Sequence, residues 1–352
     1  MMLDDFDGLL RWPALQEWID AQADIPGKGD VRSVRPLTGG SQNNLFLMER
    51  DGGIFVLRRP PRNLRKNSNA TMLREARLLG ALKDSAVPHA RLYSSCKDET
   101  VIGTAFYVMA PLDGFSPLGT LPGQYGTELS WRAAMGREYV KAGVALGAVD
   151  YIKQGLEDYG KAADWHGRQA ARWRGQLDSY AEMPGYDGHV LPHFDEIALW
   201  LSDNVPTGGK IGIIHGDFQY PNVMYHLDRP AISGLIDWEL STLGDPLLDL
   251  GWMLSSWCEA GDPEGKEPVC TPWNGFASRR ELVNLYGEMS GRDMSQMPWY
   301  MVLACYKLAS IQEGTFARSC AGLVPVELGN MLHRYALWLL EKARQVMATG
   351  EI

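Results

Sequence analysis

"IIHGDFQYPNVMYH", residues 213–226, and "ISGLIDWE", residues 232–239, decide how this chain folds. Each opens as a short apolar run of strand character. The first run delivers Asp217 and, five residues on, Asn222; the second delivers Asp237. A lone Asp after a strand is often a helix N-cap. Two carboxylates and an amide at such segment ends suit a particular chemistry. Phosphoryl transfer to an alcohol needs a carboxylate near the hydroxyl, a divalent metal bridging the phosphates and a cation on the phosphates. Magnesium takes oxygen ligands, usually only one or two of them carboxylates. Asp217 fits the proton acceptor, Asn222 a neutral metal ligand and Asp237 the anionic one.

The chain around these segments changes texture once. Residues 1–30 read as a short helix and a Gly/Pro connector. "VRSVRPL", "LFLMER" and "IFVLRR" read as strands, the last two joined at "DGG", which supplies positive φ. Residues 70–83 have helical apolar spacing, and "ARLYSSCKDETVIGTAFYVMA" gives two more strands. Beyond residue 113 the spacing predicts helices over 128–150, 158–180, 193–203, 279–290, 298–318 and 326–348. The only strands expected among them are the two that open this section. The expected fold is α+β, with a small antiparallel-sheet N-lobe over 1–112 and a mainly helical C-lobe over 113–352.

Composition sets outer bounds. The 352 residues carry 34 basic and 43 acidic side chains, a net charge of −9. That argues against non-specific binding to nucleic acid or to an anionic membrane. The five cysteines are odd in number and none forms a C-x-x-C pair, so neither a disulfide framework nor a structural zinc site is expected. The acidic start lacks the basic region of a secretory signal, and no apolar run reaches membrane-spanning length. A cytoplasmic protein acting on a small molecule is the expectation.

The spacing Asp-x-x-x-x-Asn is that of a protein-kinase catalytic loop, with "IDWE" in the place of Asp-Phe-Gly. The ordered set "HGDFQYPNVMYH…ISGLIDWELSTLGDPLLDLGWML" resembles the signature of the aminoglycoside phosphotransferase family, a branch of the protein-kinase-like two-lobe fold. By motif the resemblance covers roughly residues 31–260. It implies ATP and Mg2+ as cofactors and a hydroxylated small-molecule substrate. It also implies a structural role for His215. Asp245 and Asp249 in "GDPLLDL" read as structural, an N-cap with Pro246 at N1 and a carboxylate bracing the loop, and Glu239 as a neighbour of metal or substrate or as a bracing or solvated carboxylate.

In the family a strand cation holds the α- and β-phosphates and a helix Glu holds the cation. Here the resemblance assigns Arg58 and Glu75, although a one-residue change of register would substitute Arg59. Arg in place of Lys keeps the charge but changes the geometry. Gly39, Gly40 and Ser41 in "LTGGSQNN" stand where backbone N–H groups approach phosphate. The Ala110 carbonyl and Leu112 N–H in "FYVMAPLDG" stand where adenine is read. "VLRRPP", "DWE" with "STLGDP" and "GRQAARWRGQ" (167–176) resemble the branch found alone in bacteria and fused to acyl-CoA dehydrogenases. That branch implies a hydroxyacyl acceptor.

Other readings stay open to the sequence. An antibiotic phosphotransferase needs an acidic acceptor cleft, for which Glu259, Asp262 and Glu264 are candidates. A non-catalytic nucleotide-binding pseudokinase draws support from Arg58, but Asp217, Asn222 and Asp237 are all retained. A protein kinase lacks its Asp-Phe-Gly and Ala-Pro-Glu here, and seven scattered histidines do not supply a metallohydrolase centre.

Overall fold

The structure, a computed structural model, describes residues 4–37, 43–188 and 191–352. The chain forms two compact units: Met1–Gly114 with Ser233–Glu239, and Phe115–Ile232 with Leu240–Ile352. The short stretch carrying Asp237 thus folds with the N-terminal residues although its flanks do not.

The first unit contains α1 (Ala14–Asp20), β1 (Lys28–Leu37), β2 (Asn44–Asp51), β3 (Gly53–Arg59), α2 (Ser68–Ala81), β4 (Leu92–Cys96), α3 (Glu99–Ile102) and β5 (Phe106–Met109). Its sheet is antiparallel throughout, in the order β1-β2-β3-β5-β4. The β2–β3 hairpin turns at Gly52, whose φ is +71°, as the "DGG" signal requires. Strand alternation then sorts the side chains. Phe46 and Met48 of β2, Phe55 and Leu57 of β3, and Phe106 and Val108 of β5 pack with Leu10, Leu15 and Ile19 in one apolar core. Arg58 has the opposite parity in β3 and lies opposite Tyr107 of β5 in the ladder.

The second unit holds β6 (Gly119–Thr120), α4 (Gly123–Thr127), α5 (Leu129–Gly147), α6 (Gln169–Asp178), α7 (Phe194–Asp203), β7 (Gly212–Ile214) and β8 (Val223–Tyr225). After β9 (Ile232–Leu235) it continues through β10 (Thr242–Gly244), α8 (Leu247–Ser256), β11 (Cys270–Thr271), α9 (Arg279–Ser290), α10 (Met297–Cys320) and α11 (Val326–Thr349). The 24-residue α10 is the hub, packing against α6, α7, α8 and α11. β7 pairs with β10, a strand that the sequence pattern did not separate from the following "GDPLLDL" helix.

The helix expected over 158–180 is shorter, starting only at Gln169. Residues before it fold into turns, with Asp164 at φ +46°. Tyr159 holds them to the interior through a 2.7 Å bond between its hydroxyl and the Ser241 hydroxyl. Leu156, Tyr159 and Trp165 are buried in these turns rather than on one face of a helix. All five cysteines are free thiols. Among the described residues no helix is long and apolar enough to cross a membrane.

Candidate functional site

The predicted site residues fall into two groups, one in each unit. In the first, Arg58 on β3 is the centre. Its Nε lies 3.2 Å from Glu75 Oε2 on α2, and its Nη2 donates to Asp237 Oδ1 at 3.1 Å. Tyr107 donates its hydroxyl to the same Glu75 Oε2 at 3.1 Å. Arg58 and Glu75 are both buried, whereas the Asp237 side chain is 40% exposed. Burial disfavours charge on Arg58, but Tyr107, Glu75 and Asp237 outweigh it and raise its pKa. The guanidinium is therefore firmly cationic. Asp237 follows β9 with φ +66°, a left-handed conformation uncommon outside glycine.

Strand parity also separates the two arginines. Arg59 donates to the Leu9 and Pro60 carbonyls, away from Glu75. It is committed to backbone where Arg58 is committed to carboxylates. Ala110, just past β5, donates its N–H to the Arg91 carbonyl, and the Leu112 side chain fills the space that a Cβ at Gly234 would need. Gly39, Gly40 and Ser41 lie outside the described residues.

In the second unit, β7 leads into the loop His215–Asn222. Asp217 Oδ2 accepts from Asn222 Nδ2 at 2.8 Å and from Gln219 Nε2 at 3.0 Å. Asn222 Nδ2 also donates to the Asp217 carbonyl at 3.0 Å, which turns its amide oxygen the other way. The two donors fix the carboxylate against its own loop.

Two buried charges clamp that loop. Asp249 on α8 accepts the His215 N–H at 2.6 Å and the Gly216 N–H at 3.0 Å. Lys307 on α10 donates Nζ to the Gly216 carbonyl at 2.7 Å. Gly216 has φ +81°, and a Cβ there would meet the Leu240 carbonyl oxygen at 2.2 Å, so only glycine fits. Burial pushes the Asp249 carboxyl up, against the pull of His215, the two amides and Lys307. Burial lowers Lys307 to about 8, while Asp249 and Asp217 act in the other direction. The ammonium also lies 4.1 Å from the Trp252 ring centre.

Lys307 escaped the sequence reading. Its signal was a lysine on the core side of an apolar helix, in "MVLACYKLAS", where a solvated lysine has no place.

Asp245 and the acidic loop resolve as structure. Asp245 is fully buried and bonded to Leu247 N–H, His166, Tyr300 and both Nη atoms of Arg292. Burial raises a carboxyl, but here the bonds to His166 and Arg292 prevail and hold it at about 2. Leu247 N–H bonding to it at the start of α8, with Pro246 between, is N-cap behaviour. Asp262 pairs with Arg279 and, at 3.1 Å, with Lys342; Glu259 lies 3.6 Å from Arg279. These acids are already neutralised within their own unit.

Residues 33–282 match the family described as "Phosphotransferase enzyme family". The chain is 31% identical over 336 residues to probable acyl-CoA dehydrogenase IBR3 of Arabidopsis thaliana, covering 90% of this chain and 39% of that protein. It spans about two-fifths of the length of the curated relatives it matches. Among solved structures it is similar to a protein of Ralstonia eutropha JMP134, provisionally titled an aminoglycoside phosphotransferase. That match has TM-score 0.78 and 28% identity, over 94% of this chain and 98% of that one. The aminoglycoside phosphotransferase APH(4)-Ia, in a ternary complex with AMP-PNP and hygromycin B, matches at TM-score 0.52 and 16% identity over 87% and 95% of the two chains. That second likeness is one of fold, and it is the protein-kinase-like phosphotransferase fold.

Proposed function

The chain belongs to the phosphotransferase enzyme family, and from that premise we propose that it moves the γ-phosphoryl group of ATP to a hydroxyl of a small metabolite. A hydroxyacyl compound is the acceptor class we favour. The observation that carries the reading is the treatment of Asp217. Its carboxylate is oriented by Asn222 and Gln219, and its loop is clamped by Asp249 and Lys307. A carboxylate so held is preorganised to orient an alcohol and take its proton.

The remaining roles follow the same chemistry. Arg58 would bind the nucleotide phosphates, with Glu75 as its anchor. The Ala110 carbonyl and Leu112 N–H would read adenine, and Gly39, Gly40 and Ser41 would offer backbone N–H groups to phosphate. Asn222 and Asp237 are the residues we assign to magnesium: the amide oxygen of Asn222 is directed away from Asp217 in the second unit, the Asp237 carboxylate is partly exposed in the first, and each is the kind of oxygen donor that magnesium takes. Magnesium, when bound, neutralises charge on the phosphates. Asp237 would be the anionic residue that holds the metal and Arg58 the cation that meets phosphate.

The curated relatives support the acceptor class by name, being acyl-CoA dehydrogenases with which this chain shares one region. Against the antibiotic reading, two of its three candidate acids, Glu259 and Asp262, are paired with Arg279 and Lys342.

The test is product mass spectrometry. The protein and its Asp217→Asn variant are incubated with Mg-ATP and a panel of hydroxylated acids, acyl-CoA thioesters, sugars, aminoglycosides and macrolides. A phosphorylated acid or thioester from the unaltered protein alone is the expected result. Product only from aminoglycosides or macrolides would replace the acceptor class, and neither ATP binding nor hydrolysis would remove the kinase reading.

A further inference from the structure

The motif "GRQAARWRGQ" has no part in the chemistry above, yet four of its residues share one cavity. The second unit has a half-open cavity of about 320 Å³. That volume is at the small end of ligand sites, which run roughly 300–1,000 Å³. Gln169, Arg172, Trp173 and Gln176 of α6 form one wall. Apolar side chains from β7, α8 and α10, among them Ile214, Leu248 and Ile311, form another. Lys307 lines it as well, and its Nζ reaches the loop peptide next to Asp217.

The charge of the lining is the informative part. The whole chain has a net charge of −9, with acids outnumbering bases. The cavity has two cationic side chains, Arg172 and Lys307, and no carboxylate among its lining residues. Lys307 is buried and gives one of its donors to the Gly216 carbonyl, whereas Arg172 is exposed on α6 and is the more accessible cation for a ligand. Its guanidinium carbon lies over the Trp173 ring, 5.0 Å from the ring centre, within cation–π range. The amides of Gln169 and Gln176 stand on the same helix; Gln169 is buried and bonds the Trp165 carbonyl. Such a lining repels a polycation and suits a compact anion with an apolar body.

We propose that this cavity binds an organic anion with a short apolar chain, its charge met by Arg172 and its chain by Trp165, Trp173, Leu248 and Ile311. The inference rests on the phosphotransferase reading only in making this anion the far end of the acceptor. A carboxylate and a phosphate monoester share the required chemistry, and the test separates them.

Binding is measured by titration calorimetry without nucleotide, using hexanoate, hexyl phosphate, hexanamide and hexylammonium. These probes have one chain and four different heads. One or both anions should bind saturably, and the better anion identifies the source. Hexanamide should bind at least about tenfold more weakly, as loss of a charge-assisted bond implies, and hexylammonium not measurably. Arg172→Gln should cost the anion about tenfold and leave hexanamide unchanged, with the fold checked by circular dichroism. Trp173→Leu provides a second variant, weakening all chains alike.

Equal affinity for hexanoate and hexanamide, or no saturable anion binding, would overturn the site. Phosphoryl transfer to 6-hydroxyhexanoate is then read separately. Anion binding without transfer to any acceptor would leave the site standing and count against the kinase reading. Transfer to neutral alcohols with no anion binding would do the reverse.

Discussion

Arg58 and Asp237 are 179 positions apart in the chain, and their side chains meet at 3.1 Å. With Glu75 at 3.2 Å from the same guanidinium, one cation joins a strand, a helix and a turn of the first unit. Lysine has one ammonium and cannot span both carboxylates in forked geometry.

Removing Arg58 should therefore be costly. Arg58→Met leaves Glu75 buried without its counter-ion, and should lower stability by about 3–5 kcal/mol. The double variant Arg58→Met/Glu75→Leu should recover most of that loss. Urea denaturation of both reads the difference; equal instability of the two would mean that packing, not charge, is responsible.

Gly216→Ala should be more harmful than an ordinary loop substitution. Its φ of +81° and the Leu240 carbonyl in the path of a Cβ leave no relaxed alternative. Strain of about 1–3 kcal/mol is expected before the clash is counted. Thermal melting gives the stability, and phosphoryl-transfer assays should show a fall in kcat at little changed nucleotide affinity.

Lys307 gives a pH signature. Its folded pKa of about 8 lies below the ordinary 10.5, so the unfolded chain holds more protons between these values. The cost of the buried charge is complete below pH 8 and is relieved as pH rises to 10.5. Relative to Lys307→Met, the unaltered protein should gain on the order of 2–3 kcal/mol of stability across that window. Paired denaturation curves at pH 7 and 10 measure it, and a constant difference would show that Lys307 does not titrate there.

Asp249→Asn should uncouple the loop. An amide has one acceptor oxygen where the carboxylate offers two, so the His215 or Gly216 N–H loses its partner. A loss of about 1–3 kcal/mol follows. Asp217→Asn, in contrast, should leave stability nearly intact and, on the role proposed for it, reduce kcat by about 10²–10⁴-fold, the range for loss of a general base.

Much of this was legible in the chain. The apolar runs before Asp217 and Asp237 are local signals, and the β2–β3 hairpin announced itself through "DGG". Asp245 and Asp249 were readable as structural from their place before and within α8. What was not legible depends on distant partners. Which of Arg58 and Arg59 meets Glu75 needed the parity of β3 against α2, which one strand cannot provide. The shortened α6 needed the Tyr159–Ser241 bond, made across 82 positions. Lys307 needed its acceptor, a carbonyl 91 positions away. The neutralisation of Glu259 and Asp262 needed Arg279 and Lys342, which come later in the chain.

The excursion of Ser233–Glu239 into the first unit has a consequence for synthesis. Residues up to Gly114 leave the ribosome with all five strands of the sheet encoded, yet Asp237 is more than a hundred residues behind. Until it emerges, the nascent sheet carries Arg58 and Glu75 without their third member. The small unit is finished only when much of the large one has been made, and no single cut or fusion point in the gene separates the two.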